Sequence, residues 1–176
     1  MTRQELAQQI AAASLLHGHF VLRSGRTSTY YLDKYLFSTQ PQILARLGHE
    51  FAARIPQGTQ RLAGAELGGI PLVSSASMAT GLPCLFIRNQ KKDYGTAKQL
   101  EGRVEKGDRV VIVEDVATTG GQALEAAKVL RDAGAVVVAI IATIDRLEGA
   151  RENIEREGIA FDAIFTVHDL GITPSA

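Results

Sequence analysis

The sequence has little cysteine, no net charge and no apolar run of membrane length, and each absence narrows the possibilities. Cys84 is the only cysteine among 176 residues, which excludes an internal disulfide and fits the cytoplasm. Nineteen basic and nineteen acidic residues cancel, so nothing indicates a nucleic-acid-binding surface. With no signal peptide or membrane-spanning segment in a chain of one-domain length, we expect residues 1–176 to form a single cytoplasmic domain without nucleic-acid or membrane partners.

Two common phosphate-binding motifs are also missing, since neither GxxxxGK[ST] nor GxGxxG occurs. The chain is organised instead around a segment from Arg109 to Gly121, which reads RVVIVEDVATTGG. The run from Val110 to Val113 is apolar without alternation, as in a strand that is buried on both faces of a parallel sheet. Apolar residues then recur at helical spacing, so the predicted order is strand, loop, helix.

The loop between this strand and this helix has the composition of an anion site. Backbone N–H groups at a helix N-terminus, beside hydroxyls and glycines, can bind a phosphate. Glu114 and Asp115 come at the carboxyl end of the strand, where open α/β sheets place their ligands. Two carboxylates beside a phosphate indicate a ligand that also carries a diol or a phosphate-bound Mg²⁺. A phosphorylated ribose has both the phosphate and the diol.

The segment EDVATTGG after VVIV resembles the 5-phosphoribosyl-1-diphosphate (PRPP) signature of the type I phosphoribosyltransferases. In that family the acidic pair lies against the ribose hydroxyls, and the following loop surrounds the 5′-phosphate. The resemblance assigns the first role to Glu114 and Asp115. It assigns PRPP binding also to the residues that follow them, namely Val116, Ala117, Thr118, Thr119, Gly120, Gly121 and Gln122. The alternative is an ordinary strand-to-helix turn, capped by threonine, with unrelated acids beside it.

A second resemblance lies near the N-terminus, where FVLRSGRTSTYYLD is similar to the N-terminal signature of the orotate phosphoribosyltransferases. In those enzymes a basic residue before the SG turn and an aromatic residue after the second serine help to enclose the base. These residues are Arg23 and Tyr31 here. Arg23 replaces a lysine, and Leu32 stands where an aromatic residue is common. The alternative is a β-hairpin whose tyrosines cover the core.

Residues 88–108 are rich in lysine and glycine and lack regular apolar spacing, which is typical of a solvated loop or of an active-site lid. The segment resembles the catalytic lid of the family. By that resemblance Arg88 and Lys92 bind PRPP and take part in catalysis. Two departures from the family pattern are Asn89, where a lysine is usual, and Tyr94, where a histidine is usual.

Two further sites follow from the resemblance. The turn from Glu66 to Ile70 corresponds to the loop that binds the diphosphate through backbone amides, and Gly68 stands where many orotate enzymes have a lysine. Arg146, in IDRLEG, matches an arginine that lies against the carboxylate of the base, and Thr118 is placed against orotate. The alternative for Arg146 is an ordinary surface arginine after a strand.

The spacing of apolar residues also predicts the architecture. Thr2 and Glu5 have capping-box spacing and open a helix predicted over residues 2–16, with Leu16 on its apolar face. The last predicted strand has His168 near its end. The expected fold is α/β, a mostly parallel twisted sheet flanked by helices, with a small N-terminal hood from residues 1–38.

Together the resemblances imply an orotate phosphoribosyltransferase, which makes orotidine 5′-monophosphate and diphosphate from orotate and PRPP in pyrimidine (UMP) biosynthesis. They imply Lys92, Arg88 and Asp115 as catalytic residues, Mg²⁺ held through the substrate rather than by protein ligands, and a homodimer whose lid reaches the neighbouring site. Two alternatives stay open. One is a phosphoribosyltransferase for a purine or another base, and the other is a non-catalytic protein that senses PRPP on the same fold.

Overall fold

The helices and strands alternate along most of the chain in a computed structural model that describes residues 1–21, 27–89 and 99–172. The helices are α1 (Arg3–Ser14), α2 (Lys34–Ser38), α3 (Pro41–Ala52), α4 (Gly69–Thr80), α5 (Gly121–Asp132) and α6 (Ala150–Arg156). The strands are β1 (Leu15–Val21), β2 (Thr27–Leu32), β3 (Arg61–Ala65), β4 (Cys84–Ile87), β5 (Leu100–Glu101), β6 (Arg109–Ala117), β7 (Val136–Asp145) and β8 (Ala160–Thr166). A 3₁₀ helix, Val167–Leu170, follows β8.

Six of these strands form one sheet in the order β5-β4-β3-β6-β7-β8. All neighbouring pairs are parallel except β4 and β5, which pair antiparallel at the edge. The mostly parallel sheet predicted from the sequence is therefore confirmed. The short strand β5 lies inside the segment 88–108 that the sequence predicted as a lid.

Strand β6 is central, as its uninterrupted apolar run predicted. Its four residues from Val110 to Val113 have no exposed surface. Val111 and Val113 belong to the core cluster that α1, α3 and α4 cover, whereas Val110 and Ile112 belong to the cluster beneath α5 and α6. The strand is thus covered on both faces. Because it lies between β3 and β7, its carboxyl end is in the middle of one edge of the sheet.

The N-terminal part adds a second, two-stranded antiparallel sheet of β1 and β2. Thr2 and Glu5 form the predicted capping box of α1, but the helix ends at Ser14. Leu16 lies in β1 opposite Tyr31 and is 39% exposed. The prediction that Leu16 belongs to the apolar helical face is therefore wrong, because the backbone has already become extended and paired with β2.

The end of the chain differs from the sequence prediction in a similar way. Strand β8 ends at Thr166, and His168 lies in the 3₁₀ helix rather than in the strand. A capping box between Thr166 and Asp169 turns the chain at that point. In the described part of the chain, no helix has both the length and the apolar character that a bilayer crossing requires.

The order of the strands creates a topological switch point between β3 and β6. From β3 the chain moves outward to β4, and from β6 it moves in the opposite direction to β7 and β8. Crossover connections on either side of such a point run over opposite faces, so a crevice opens at the carboxyl ends of the two strands. The residues after β3 and at the end of β6 therefore line the expected ligand site.

Candidate active site

Two strand-to-helix turns meet at the switch point. One leads from β3 through Glu66 and Gly68 into α4, and the other leads from β6 through Thr118 and Gly120 into α5. The N-cap residues, Gly68 and Gly120, make no side-chain capping hydrogen bond. The first backbone N–H groups of α5 are therefore available to an anion. At α4 the N–H of Gly69 is the one left for an anion among the first three residues, because the N–H of Ile70 donates to the carbonyl oxygen of Leu67 at 3.2 Å and Pro71 has no N–H. The threonine cap that the alternative interpretation of the α5 turn required does not form.

The turn into α5 encloses a small cavity of about 50 Å³. Gly120 has a φ of +81°, and a Cβ at that position would lie 3.0 Å from the side chain of Ile154. The backbone conformation therefore favours glycine, and a side chain there would also press on Ile154. The cavity is lined by Glu114, Val116, Ala117, Thr118, Gly120, Gln122 and Ala123. Most of the residues predicted to bind PRPP thus surround one space.

Glu114 is buried, with 4% of its surface exposed. Its Oε1 accepts a hydrogen bond from the backbone N–H of Asp115 at 3.0 Å. Its Oε2 has no hydrogen-bond partner among the residues that the structure describes. Burial raises the pKa of Glu114 to about 8, and the neighbouring Asp115 carboxylate adds to this effect. Glu114 is therefore mostly protonated at neutral pH, and the structure separates two acids that the sequence treated alike.

The raised pKa of Glu114 predicts a loss of stability with rising pH. The ordinary pKa of the carboxyl is 4.5, which applies to the unfolded chain, whereas the pKa in the folded protein is about 8. The contribution of Glu114 to stability is thus fully present below pH 4.5 and is lost as the pH rises through 8. Glu114→Gln keeps the shape of the side chain without its charge. We therefore expect the free energy of unfolding of Glu114→Gln, relative to that of the wild type, to increase by on the order of a few kcal/mol between about pH 5 and about pH 8.5.

Urea unfolding of the wild type and Glu114→Gln at both pH values measures this difference. Glu125→Gln is the matched control, because Glu125 is an exposed residue of α5. A difference between Glu114→Gln and the wild type that stays constant across the range would show that the carboxyl is not protonated in the folded protein.

Asp115 is also buried, with 2% of its surface exposed, and both of its oxygens are engaged. Oδ1 accepts a hydrogen bond from the backbone N–H of Val116 at 2.6 Å, and Oδ2 lies 2.8 Å from Nζ of Lys34. A Cβ at Gly68 would lie 1.6 Å from Oδ2 of Asp115. The carboxylate therefore occupies the space that a side chain at position 68 would need. Sequence reasoning did not single out Lys34, because its position in the hood gives no local signal of a contact with β6.

Arg146 lies beside the turn that leads from β6 into α5. Its backbone N–H donates to the carbonyl oxygen of Ala117 at 2.9 Å, and its Nε lies 3.0 Å from Oε1 of Glu148. Leu147 follows with a φ of +60°, and its N–H donates to Oδ1 of Asp145 at 2.8 Å. A cavity of about 250 Å³ lies next to this turn, lined by Asp145, Leu147, Gly149, Ala150, Arg151 and Glu152. The backbone of Arg146 is thus hydrogen-bonded to Ala117, the residue before Thr118.

The remaining predicted site residues are spread more widely. Arg88 follows β4, and its Nη1 lies 4.0 Å from Oε1 of Glu101. Tyr31 is on the hood, 44% exposed, with its ring centroid 5.7 Å from that of Phe20. Arg23 and Lys92 lie outside the described residues, as does Tyr94.

A wider cavity of about 480 Å³ lies away from the switch point. It is lined by Gln9, Ala12, Ala13, Gln40, Pro41, Gln42 and Ile43. None of these side chains is ionisable or nucleophilic, so the cavity offers no groups for catalysis. The small cavity at β6 is the better candidate site despite its size, because the buried Glu114 and the uncapped N-terminus of α5 line it.

Known proteins resemble this chain over most of its length. The family model for the phosphoribosyl transferase domain matches residues 42–170, which include both turns at the switch point. The orotate phosphoribosyltransferase of Natronomonas pharaonis is 43% identical over 171 residues, covering 97% of this chain and 98% of that protein. The orotate phosphoribosyltransferase of Pyrococcus horikoshii is 47% identical over 156 residues, covering 87% and 84%.

A solved structure shows the same likeness in three dimensions. The crystal structure of Mycobacterium tuberculosis orotate phosphoribosyltransferase in complex with PRPP superimposes with a TM-score of 0.79 at 31% sequence identity. The match covers 97% of this chain and 99% of that one. The likeness therefore includes the N-terminal hood, which precedes the part matched by the family model.

Proposed function

This chain belongs to the phosphoribosyltransferase family, and from that premise we propose how the switch-point site carries out the reaction of an orotate phosphoribosyltransferase. That reaction transfers the 5-phosphoribosyl group from PRPP to orotate and gives orotidine 5′-monophosphate and diphosphate. The observation that supports the site most strongly is the buried pair Glu114 and Asp115 between two uncapped helix N-termini. PRPP carries its two ribose hydroxyls between the 5′-phosphate and the diphosphate on C1. Its site therefore needs hydroxyl acceptors between two phosphate-binding turns.

Each part of PRPP has a proposed partner. The 5′-phosphate binds the turn from Ala117 to Gln122, where the N–H groups of α5 point to it. Glu114 and Asp115 hold the two ribose hydroxyls, and the unpartnered Oε2 of Glu114 supplies one of the contacts. The diphosphate binds the backbone amides of the turn around Gly68, at the N-terminus of α4.

The chemistry is mainly electrostatic. Breaking the bond between C1 and the diphosphate oxygen develops positive charge on the ribose and negative charge on the leaving group, while a ring nitrogen of orotate forms the new bond to C1. Asp115 is proposed to stabilise the positive ribose, and the backbone N–H groups of the turn around Gly68 are proposed to receive the negative charge. We propose no covalent nucleophile and assign no general base, because orotate whose ring nitrogen has already lost its proton to solvent can attack C1 directly.

Orotate is proposed to lie between the hood and the turn after β7. Arg146 pairs with its carboxylate, for which a planar guanidinium offers two parallel donors. Because Nε of Arg146 is already near Glu148, the terminal nitrogens are the donors proposed for the base. Thr118 supplies a hydroxyl at the same edge, while Arg23 and Tyr31 enclose the base from the hood.

Magnesium is proposed to arrive with the substrate. The described residues contain no cluster of three His, Cys, Asp or Glu side chains that could hold a metal, and Asp115 is already paired with Lys34. The donor set at β6 therefore fits a diol better than a protein-bound ion. When Mg²⁺ is bound to the diphosphate and ribose oxygens, it neutralises charge on the leaving group.

We also propose that residues 88–108 act as a lid, with Arg88 and Lys92 placed against the diphosphate. The assembly is proposed to be a homodimer in which the lid closes over the neighbouring site, and the protein is proposed to act in the cytoplasm. Charge supports the lid, since this segment is rich in lysine while the chain as a whole is neutral.

Two other functions compete with this proposal. A purine phosphoribosyltransferase would not need Arg146, since a neutral purine has no carboxylate for the guanidinium. A non-catalytic PRPP sensor would keep the phosphate turn and the acidic pair but would gain nothing from lid cations. Asn89, Tyr94 and Gly68 are the departures that favour the sensor.

The test is absorbance monitoring of orotate consumption with PRPP and Mg²⁺, beside parallel assays with adenine, guanine and uracil. We expect orotate to be used at least about tenfold faster than the other bases, because a charged pair with Arg146 contributes to its binding alone. Comparable turnover of a purine would overturn the substrate assignment, and PRPP binding without turnover of any base would support the sensor.

A further inference from the structure

Lys34 reaches from the hood to the acidic pair of the sheet. It is the first residue of α2, and Asp33 before it caps the helix by accepting the backbone N–H of Tyr35 at 3.0 Å. Its Nζ lies 2.8 Å from Oδ2 of Asp115, the only ion pair of Asp115 among the described residues. The two side chains are 81 positions apart in sequence, so only the docking of the hood brings them together.

The contact is built into the site rather than accidental. The Asp115 side chain is 3% exposed, so its charge cannot be balanced by solvent. The Lys34 side chain is 31% exposed. Gly68 supplies the space, because any Cβ at that position would collide with the Asp115 carboxylate. Three separate elements thus position one carboxylate. Helix α2 carries the cation, strand β6 carries the acid, and the turn between β3 and α4 leaves space for the carboxylate.

We propose that Lys34 is the positioning residue of the PRPP site, holding the Asp115 carboxylate in the orientation in which it accepts the ribose hydroxyls. This inference rests on the proposed function of the site. A carboxylate has about four acceptor positions. The Val116 N–H and the Lys34 ammonium use one on each oxygen, so acceptor capacity remains on both for the diol.

The electrostatics of the three groups support the assignment. Burial disfavours the charge on Lys34, but attraction to Asp115 and the hydrogen bond between them outweigh it, so the pKa of Lys34 lies above its ordinary value. Lys34 thus stays charged at every pH at which the enzyme would work. The pKa of the neighbouring Glu114 is raised, chiefly by burial, and Asp115 contributes more than Glu114 to keeping Lys34 charged.

Removing the cation is expected to disorganise the diol site. A buried carboxylate without a counter-charge either turns toward water or takes up a proton, and in both cases a hydroxyl acceptor is lost. The ribose contact should therefore weaken, whereas contacts with orotate should not. A purely structural link between hood and sheet would instead lower stability and leave PRPP affinity unchanged in the folded fraction.

The experiment is calorimetric titration of PRPP with Mg²⁺, without orotate, into the wild type, Lys34→Met, Lys34→Arg and the control Lys128→Met. Lys128 is an exposed lysine of α5. We expect Lys34→Met to weaken PRPP binding by about tenfold or more, Lys34→Arg to stay within about fivefold of the wild type, and Lys128→Met to bind normally. Steady-state assays should show the KM for orotate unchanged in Lys34→Met, and thermal melting checks that each variant is folded.

A double variant identifies the partner through which Lys34 acts. If Lys34 works by orienting Asp115, then Lys34→Met combined with Asp115→Asn should bind PRPP no more weakly than Asp115→Asn alone. Additive losses, or wild-type affinity in a folded Lys34→Met protein, would overturn the inference while leaving the proposed function intact. Failure of the wild type to bind PRPP would overturn both.

Discussion

Replacing Asp115 by asparagine is expected to lower kcat/KM by about 10²–10³-fold, the usual effect of removing one electrostatic group aimed at developing charge. Asparagine has nearly the same shape, so the packing around Gly68 is kept. It cannot balance Lys34, however, and it offers a ribose hydroxyl only one acceptor oxygen instead of two. Activity should therefore fall much more than stability.

Steady-state kinetics and thermal melting of the same preparations separate the two effects. We expect the melting temperature to fall by no more than several degrees, because Lys34 is partly exposed and can be solvated when its partner is lost. Asp132→Asn, at an exposed position of α5, controls for the loss of a carboxylate as such. If activity and stability were lost in parallel, Asp115 would be a structural residue and the ribose assignment would be wrong.

Mixing two inactive proteins is expected to restore activity. Lys92→Ala removes the proposed lid cation, and Asp115→Asn removes the proposed ribose contact. In a heterodimer of the two, one site combines an intact ribose loop with an intact lid from the neighbouring subunit. When subunits exchange randomly, half of the dimers are mixed and each carries one intact site, so activity should approach roughly a quarter of the wild type.

Mass spectrometry of the mixture confirms subunit exchange independently of activity. Each variant incubated alone is the control and should stay inactive. Verified exchange without recovered activity would mean that the lid serves its own subunit or that Lys92 has no catalytic role. A protein that remains monomeric at assay concentration would exclude the dimer itself.

Much of the sheet and of the phosphate turn could be predicted because their signals are local. The β-branched run from Val110 to Val113 indicates a strand without reference to the rest of the chain, and Gly120 is favoured by its own φ. Arg146 was singled out by the resemblance of IDRLEG, and it follows a strand whose carboxyl end lies at the same edge as that of β6.

The features that could not be predicted depend on contacts between distant segments. Lys34 matters because docking of the hood brings it to Asp115, and Gly68 matters because the pairing of β3 with β6 brings its turn there. No spacing in the sequence records either contact. The difference between Glu114 and Asp115 likewise arises from burial and from a single ammonium group. Leu16 was misplaced because helix periodicity continues past Ser14, where pairing with β2 takes over.

The central claim is that PRPP binds at the switch point between β3 and β6. A crystal structure of the protein with PRPP and Mg²⁺ tests it most directly. We expect the ribose hydroxyls within hydrogen-bonding distance of Glu114 and Asp115, and the 5′-phosphate against the N–H groups of the turn from Ala117 to Gln122. A ribose seated elsewhere, or turned so that its hydroxyls face away from both acids, would contradict it.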